Sequence, residues 1–336
     1  MLNSSIRYLW PVLVIVPLLL ILALVSISLG GSMPQVITEM MIRIIIVVGV
    51  YIFVGNSGVL SFGHVGFVAI GAYASVWFTC CTLPMVKPLY MSGLPTLLQD
   101  NSYPLYAGIL AAAGLSAIVA ACVGVLIVRL SGIAASIATF AFLAIVFAVY
   151  SNWESVTGGT ASISNIPVDI GPYAAAVGAV SAVLVAFAFQ SSRYGLMLKA
   201  SRDEIVAARS SGVNVGYARF AAWMLSAVIA GVGGAFYSSF MGVLSVDTFY
   251  LTMTFLVLAM LIVGGLQSLS GAVIGVILLT GVTEVLRMLE TDNAIVQLPK
   301  GLQEVGLGVV MILILIMRPK GIMNGRELTL PTRKSK

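Results

Sequence analysis

The single histidine of this 336-residue chain, His64, lies between Gly55 and Ser75 in the stretch GNSGVLSFGHVGFVAIGAYAS. An imidazole can bind a metal, carry a proton or act as a structural hydrogen-bonding group. A metal site is not expected, because no cysteine or paired carboxylate stands near His64 at ligand spacing. We interpret His64 as a neutral group bonded to a neighbouring hydroxyl, or to a carbonyl freed by a break in a helix. Cys80 and Cys81 are neighbours that do not readily pair, so we interpret them as small buried apolar groups.

Few other ionisable side chains fall inside the apolar part of the sequence. Glu39 and Arg43 are four residues apart, so on a helix they share a face and can pair. Glu284 and Arg287 lie near the end of a later apolar run. Acids and bases inside a membrane usually mark proton or ion relays, and there are few of them here. This argues against a stand-alone secondary carrier or channel, which remains the alternative of another class.

Composition indicates an integral membrane protein. Hydrophobic residues make up 60% of the chain and charged residues 9%, against about 45–50% and about 25% in an average soluble domain. Runs of roughly the 20 residues that span a bilayer recur along the chain. They predict an all-α polytopic membrane protein with about ten transmembrane helices, the first of them a retained helix and not a cleaved signal. The runs are 10–29, 35–54, 59–83, 105–128, 133–153, 172–190, 217–242, 249–266, 270–288 and 301–317.

The positive charges set the predicted orientation, because Lys and Arg near helix ends resist translocation. With both termini in the cytoplasm, thirteen of the seventeen basic residues lie on the cytoplasmic side. The net charge of +5 is then a topology signal that requires membrane lipid around the chain and no nucleic-acid partner. The thirteen residues are Arg7, Arg129, Arg193, Lys199, Arg202, Arg209, Arg219, Arg318, Lys320, Arg326, Arg333, Lys334 and Lys336.

The longest polar segment inside the chain, residues 190–220, separates the sixth and seventh runs and reads QSSRYGLMLKASRDEIVAARSSGVNVGYARF. Its middle predicts a short cytoplasmic helix over about 202–211, with Ser201 as the N-cap and Gly212 as the stop. The helix is either a solvated connector or a docking element for a partner. Because the chain contains no G-x-x-x-x-G-K-[ST] phosphate loop, ATP could drive this protein only through another subunit.

Ordered motifs along residues 35–323 resemble the membrane permeases of ABC importers for branched-chain amino acids. Each motif alone is weak, and their order along the chain carries the resemblance. Besides the stretch around His64 they are RLSGIAASIATFAFLAI at 129–145, TGGTASISNIP at 157–167, SRYGLMLKASRDEIVAARSSGVNV at 192–215, AGVGGAFYSS at 230–239, VGGLQSLSGAVIG at 263–275 and MRPKGIM at 317–323.

The resemblance implies a multi-pass permease of a bacterial inner membrane, with partners and without an enzyme activity or cofactor of its own. The partners would be a second, homologous permease, two cytoplasmic ATPase subunits that bind the ATP, and a periplasmic substrate-binding protein. Residues 1–323 would form the permease domain, with a coupling loop at 191–218, and 324–336 a basic cytoplasmic tail.

Within the coupling loop, the general importer pattern is E-A-A-x-x-x-G. Ala207, Ala208 and Gly212 match its A-A-x-x-x-G part, whereas Glu204 stands three residues before Ala207. The residues expected to couple to the ATPase are Arg202, Asp203, Glu204, Ala207, Ala208 and Gly212.

The implied mechanism is alternating access, with substrate moving along the interface between the paired permeases. Branched-chain or other amino acids are the expected substrates, and urea or short amides are the alternative within the family. Small polar and aromatic side chains would line the pathway: Ser57, Ser61, Phe62, His64, Thr139, Phe140 and Thr157.

Overall fold

The computed structural model describes residues 2–81, 86–290 and 302–328. Helices dominate this part of the chain, and no strand occurs in it. The helices are α1 (Leu2–Leu29), α2 (Met33–Ser57), α3 (His64–Thr79), α4 (Lys87–Tyr90), α5 (Thr96–Gln99), α6 (Leu105–Ile127), α7 (Gly132–Asn152), α8 (Glu154–Thr157), α9 (Pro172–Ser191), α10 (Arg193–Asp203), α11 (Ile205–Ser210), α12 (Val215–Met241), α13 (Leu251–Gly264), α14 (Leu269–Glu290) and α15 (Leu302–Met317).

Eight helical stretches in the described residues are long and apolar enough to cross a membrane. Two shorter apolar helices, α3 and the Val305–Met317 part of α15, occupy the places of two further predicted runs. The all-α membrane class is therefore confirmed. The count of ten spans and the cytoplasmic position of both termini stay predictions.

The run predicted over 59–83 is wrong at its start. Helix α2 continues to Ser57, residues 58–63 leave the helical path, and α3 begins only at His64. Gly58 ends α2 in the left-handed conformation, at a φ of 71° that glycine adopts without steric cost. At the other end of α3, Cys80 and Cys81 are both buried, as predicted; their sulfur atoms lie side by side, a pairing that the sequence did not lead us to expect.

Close backbone contacts hold α3 against α12 at the centre of the bundle. A Cβ atom at Gly71 would overlap the carbonyl group of Gly231, and one at Gly234 would overlap the carbonyl oxygen of Val68. In lipid there is little hydrophobic force between helices, so association depends on such close packing of small residues. The glycines of the motif at 230–239 thus serve close packing of the two helices.

The two ends of the bundle are held by different contacts. The end that we call the basic end carries Arg129, Arg209 and Arg219 around one surface depression. Arg219 donates from Nη1 to the carbonyl oxygen of Leu130, at 3.1 Å, and so ties α12 to the turn between α6 and α7. The opposite end is held by the loops before α9 and after α12, where Ile163 and Leu244 exchange two backbone hydrogen bonds of 2.8 Å.

We expect Gly71→Val to loosen the α3–α12 contact, because a side chain there must push the two backbones apart. Overpacking of this kind costs about 1–3 kcal/mol, which should appear as a lower melting temperature of the purified protein in detergent. Gly114→Val is the matched control, since nothing lies within 4 Å of a Cβ built at Gly114 on α6. Equal melting temperatures for the two variants would contradict this account of the packing.

Candidate translocation pathway and coupling segment

Polar groups of α7 form hydrogen bonds with the unwound segment, residues 58–63. The backbone N–H of Phe62 donates to Thr139 Oγ1 at 3.2 Å, and Ser136 Oγ donates to the carbonyl oxygen of Leu60 at 2.7 Å. Thr139 in turn donates to the carbonyl oxygen of Ser136 at 2.9 Å. Backbone that leaves a helix inside a membrane must find such partners, because no water is present to replace the lost bonds.

His64 opens α3 directly after the unwound segment and is almost fully buried. Its Nδ1 forms a 2.7 Å hydrogen bond with Ser61 Oγ, so the predicted hydroxyl partner is confirmed. The ring packs against the aromatic rings of Phe53 and Trp223, with centroids 5.5 and 5.0 Å away. In the described part of the chain no three His, Cys, Asp or Glu side chains cluster as metal ligands would.

Most of the side chains predicted for the pathway lie around this segment. Ser61, His64 and Thr139 are buried inside the chain, and Ser57 bonds the carbonyl oxygen of Phe53 in its own helix. Phe62 and Phe140 make an edge-on ring contact at 6.4 Å, and the ring of Phe140 is partly exposed. These two aromatic rings therefore form the accessible side of the group.

Thr157 lies apart from the others. Its hydroxyl donates to the carbonyl oxygens of Tyr150 and Trp153, at 2.6 and 2.7 Å, just beyond the far end of α7. Tyr150 is eleven residues beyond Thr139 on the same helix, a rise of about 16 Å. One small contact surface therefore cannot contain both threonines.

The predicted coupling helix over 202–211 is two helices, α10 and α11, that meet at Glu204. Ser201 lies inside α10 and is not the N-cap. That place is taken by Glu204, whose Oε1 accepts from the N–H of Val206 at 3.4 Å. Glu204 can do this because its backbone is extended, with a φ of −153°. Gly212 follows α11 at a φ of 81°, which supports the predicted stop.

The coupling residues divide into an outward group and an inward group. The exposed residues are Asp203, Glu204, Ala207 and Gly212. Ala208 is buried on the face of α11 that lies against the bundle. Arg202 points inward, where its Nη1 donates to the carbonyl oxygen of Gly55 at 2.8 Å. That carbonyl belongs to the last turn of α2, immediately before the unwound segment.

Glu327 is a residue of this end of the molecule that sequence reasoning missed. Its carboxylate accepts from the N–H groups of Leu269 and Ser270 at 2.7 and 3.1 Å, and from the hydroxyls of Ser268 and Ser270. It thereby caps the positive end of α14. Burial lowers the pKa of Lys199 on α10, and the Glu327 carboxylate opposes that shift. Glu327 follows Pro319 and Gly321 as a single acidic residue in no recognisable motif. The sequence therefore did not indicate this contact.

A bundle of membrane-spanning helices, with an unwound segment inside it and an exposed two-helix segment at its basic end, is an architecture that suits a membrane transport protein. A model of the family described as "Branched-chain amino acid transport system / permease component" matches residues 32–315. The chain belongs to this family. Its proteins are transport subunits of the inner membrane that work with an ATPase and other subunits, and not enzymes.

Two relatives are similar over most of the chain. Both are described as "High-affinity branched-chain amino acid transport system permease protein LivM", one from Salmonella typhimurium strain LT2 and one from Escherichia coli strain K12. Each is 27% identical to this chain over 323 residues, which covers 86% of this chain and 69% of the relative.

Replacing Thr139 by valine tests whether α7 holds the unwound segment. The substitution keeps the shape of the side chain and leaves the partly buried N–H of Phe62 without its acceptor, which costs about 1 kcal/mol. We expect a lower melting temperature and weaker transport. Thr79→Val is the control, because the Thr79 hydroxyl bonds only the carbonyl oxygen of Ser75 in its own helix. An unchanged Thr139→Val protein would contradict this role.

Proposed function

We propose that this chain is the permease subunit of an ATP-driven importer that moves branched-chain amino acids by alternating access. In this proposal it pairs with a homologous permease and receives substrate from a binding protein outside the membrane. Two cytoplasmic subunits bind and hydrolyse the ATP. The names of the two relatives support this choice of substrate, and urea or short amides have no comparable support.

A continuous connection from the exposed coupling segment, helices α10 and α11, to the unwound segment carries the proposal. Arg202 belongs to α10, and the residue after it, Asp203, has 76% of its side chain exposed. The guanidinium of Arg202 bonds the last turn of α2, and Gly58 ends that turn against the Arg202 side chain. A movement imposed on α10 and α11 from outside would therefore be transmitted to residues 58–63.

The surface offered to the ATPase is the outer face of α11. Val206 is 70% exposed there, an apolar side chain between the polar residues Glu204 and Ser210. Ala208, on the inner face of α11, is covered by this chain itself. We assign the contact with the ATPase to the Val206 face, with Ala208 setting how closely α11 lies on the bundle.

Uptake measurements test the proposed function as a whole. Cells that express the complete importer should accumulate labelled leucine, and cells that lack only this subunit should not. Labelled urea is measured in parallel. Uptake of urea without leucine, or leucine uptake that is independent of this subunit, would contradict the proposal.

Variants at two positions separate docking from transmission. Val206→Asp should release the ATPase during co-purification, because a charge replaces the apolar contact, while Val206→Leu should retain it. Arg202→Met should keep the ATPase bound and lower leucine uptake per ATP hydrolysed about tenfold, as expected for the loss of a hydrogen bond from a charged donor. Normal coupling in Arg202→Met would show that the Arg202 contact with α2 is not the route of transmission.

A further inference from the structure

A cavity of about 450 Å³ lies at the basic end of the bundle, between the turn that joins α6 to α7 and the start of α12. We call it the arginine cavity, because Arg129, Arg209 and Arg219 all line it. Its volume falls within the roughly 300–1,000 Å³ of small-molecule sites. None of the residues assigned above to the pathway or to coupling lines it, so neither assignment explains it.

The positive charges of the arginine cavity have no counter-charge from the described part of the chain. No acidic side chain lines the cavity, and the ion pairs among the described residues include none of its three arginines. The nearest acids along the chain have other roles: Asp203 lies 3.5 Å from Arg202 Nε, and Glu204 caps α11. Arginine stays charged at physiological pH, so the cavity attracts an anion.

Arg219 fixes one guanidinium at the wall of the cavity. Only 6% of this residue is exposed, and its Nη1 donates to the carbonyl oxygen of Leu130 at 3.1 Å. Its Nη2 forms no hydrogen bond with the described residues and, unlike Nε, is not fully enclosed. A largely buried charged group with unused donors costs free energy. An anion in the cavity would lower that cost by accepting from Nη2.

The beginning of α7 favours a phosphate group as this anion. Ser131 lines the cavity and occupies the N-cap position of α7, yet its side chain caps no N–H group in the described structure. The positive end of the α7 dipole is therefore available beside the arginines. Phosphate groups bind at such helix ends, and a guanidinium holds a phosphate through two parallel hydrogen bonds.

Exposed apolar side chains next to the cavity favour a phospholipid over a free phosphate ion. Leu126 near the end of α6 is 68% exposed, and Ile133 in the first turn of α7 is 80% exposed. Tyr217 follows Gly216 of the cavity wall and is also exposed, and tyrosine is enriched where spans leave the membrane. A phospholipid would place its headgroup in the cavity and its acyl chains along α6 and α7, whereas a phosphate ion would leave this apolar surface unused.

We propose that the arginine cavity binds the phosphate headgroup of an anionic phospholipid. Basic pockets between spanning helices on the cytoplasmic side are typical sites for such headgroups, and the charge distribution predicts that the basic end is cytoplasmic. The headgroup would join Arg209 of α11 to Arg219 of α12 and to the α6–α7 turn. The inference goes beyond the proposed import function, because it does not depend on the substrate.

Native mass spectrometry of the assembled importer, stripped of bound lipid by detergent exchange, tests the site. Dioleoylphosphatidylglycerol should bind roughly tenfold more tightly than dioleoylphosphatidylcholine, which has the same chains and no net charge. Inorganic phosphate should compete only weakly, because it lacks the acyl chains. Equal binding of the two lipids, or displacement of the bound phosphatidylglycerol by an equal concentration of inorganic phosphate, would overturn the proposal.

Variants of Arg129 assign the lipid to this cavity, since Arg129 lies on the α6–α7 turn and not on the face of α11 assigned to the ATPase. Arg129→Gln should weaken phosphatidylglycerol binding about fivefold through loss of one charge, and Arg129→Lys should weaken it less. Arg193→Gln is the matched control, because Arg193 is exposed on α10 and does not line the cavity. Equal lipid binding by Arg129→Gln and Arg193→Gln would overturn the proposal.

Co-purification of the ATPase with the same variants separates a lipid site from a protein contact. Arg129→Gln should keep the ATPase bound. Release of the ATPase with unchanged phosphatidylglycerol binding would show that the cavity takes an acidic group of the partner, and the lipid proposal would be wrong. Selective lipid binding by an importer that moves no leucine would support this site and contradict the proposed function.

Discussion

Backbone hydrogen bonding is the constraint on which the rest of this structure depends. Inside a membrane an N–H or C=O group that leaves a helix has no water to bond, and this chain leaves its helical path at residues 58–63. The missing partners come from elsewhere in the chain: Thr139 and Ser136 on α7 and the guanidinium of Arg202 on α10. The unwound segment is thus bonded to α7, and the turn of α2 that leads into it is bonded to Arg202 of α10 at the basic end.

Close helix packing holds the far end of the unwound segment in place. Helices α3 and α12 meet through glycine backbones, where the contact has no flexible side chains to absorb a shift. His64 and Trp223 pack together at the start of α3 and along α12, so the end of the unwound segment is fixed to the same central pair. A displacement that reaches the last turn of α2 therefore acts on a segment whose two ends are held.

Glu327 gives the basic end a second connection. By capping α14 it fixes the chain after α15 onto the turn between α13 and α14, where the N–H groups of Ile322 and Met323 also bond the carbonyls of Val263 and Gly264. Residues 324–328, assigned from sequence to a cytoplasmic tail, lie against the bundle here, and 329–336 lie outside the described residues. The Glu327 carboxylate also interacts electrostatically with Lys199 of α10. The coupling segment is therefore close to the chain that follows α15.

Hydrophobic run length determined the helical class, the order of the helices and most of their bounds. These features could be predicted because a membrane span must be apolar over its whole length, whatever it packs against. The hydrogen bond between His64 and Ser61 could also be predicted, because the hydroxyl lies only three residues before the imidazole in the sequence.

Only the tertiary structure decided the contacts between distant parts of the chain. Arg202 was expected on an outer surface, and it bonds a carbonyl 147 residues earlier. Ser201 is the better N-cap candidate by residue type, and the use of Glu204 instead follows from its extended backbone between two packed helices. Thr139 and Thr157 look alike in sequence, yet α7 separates them. Such outcomes depend on which helices become neighbours, and apolar periodicity carries no information on that pairing.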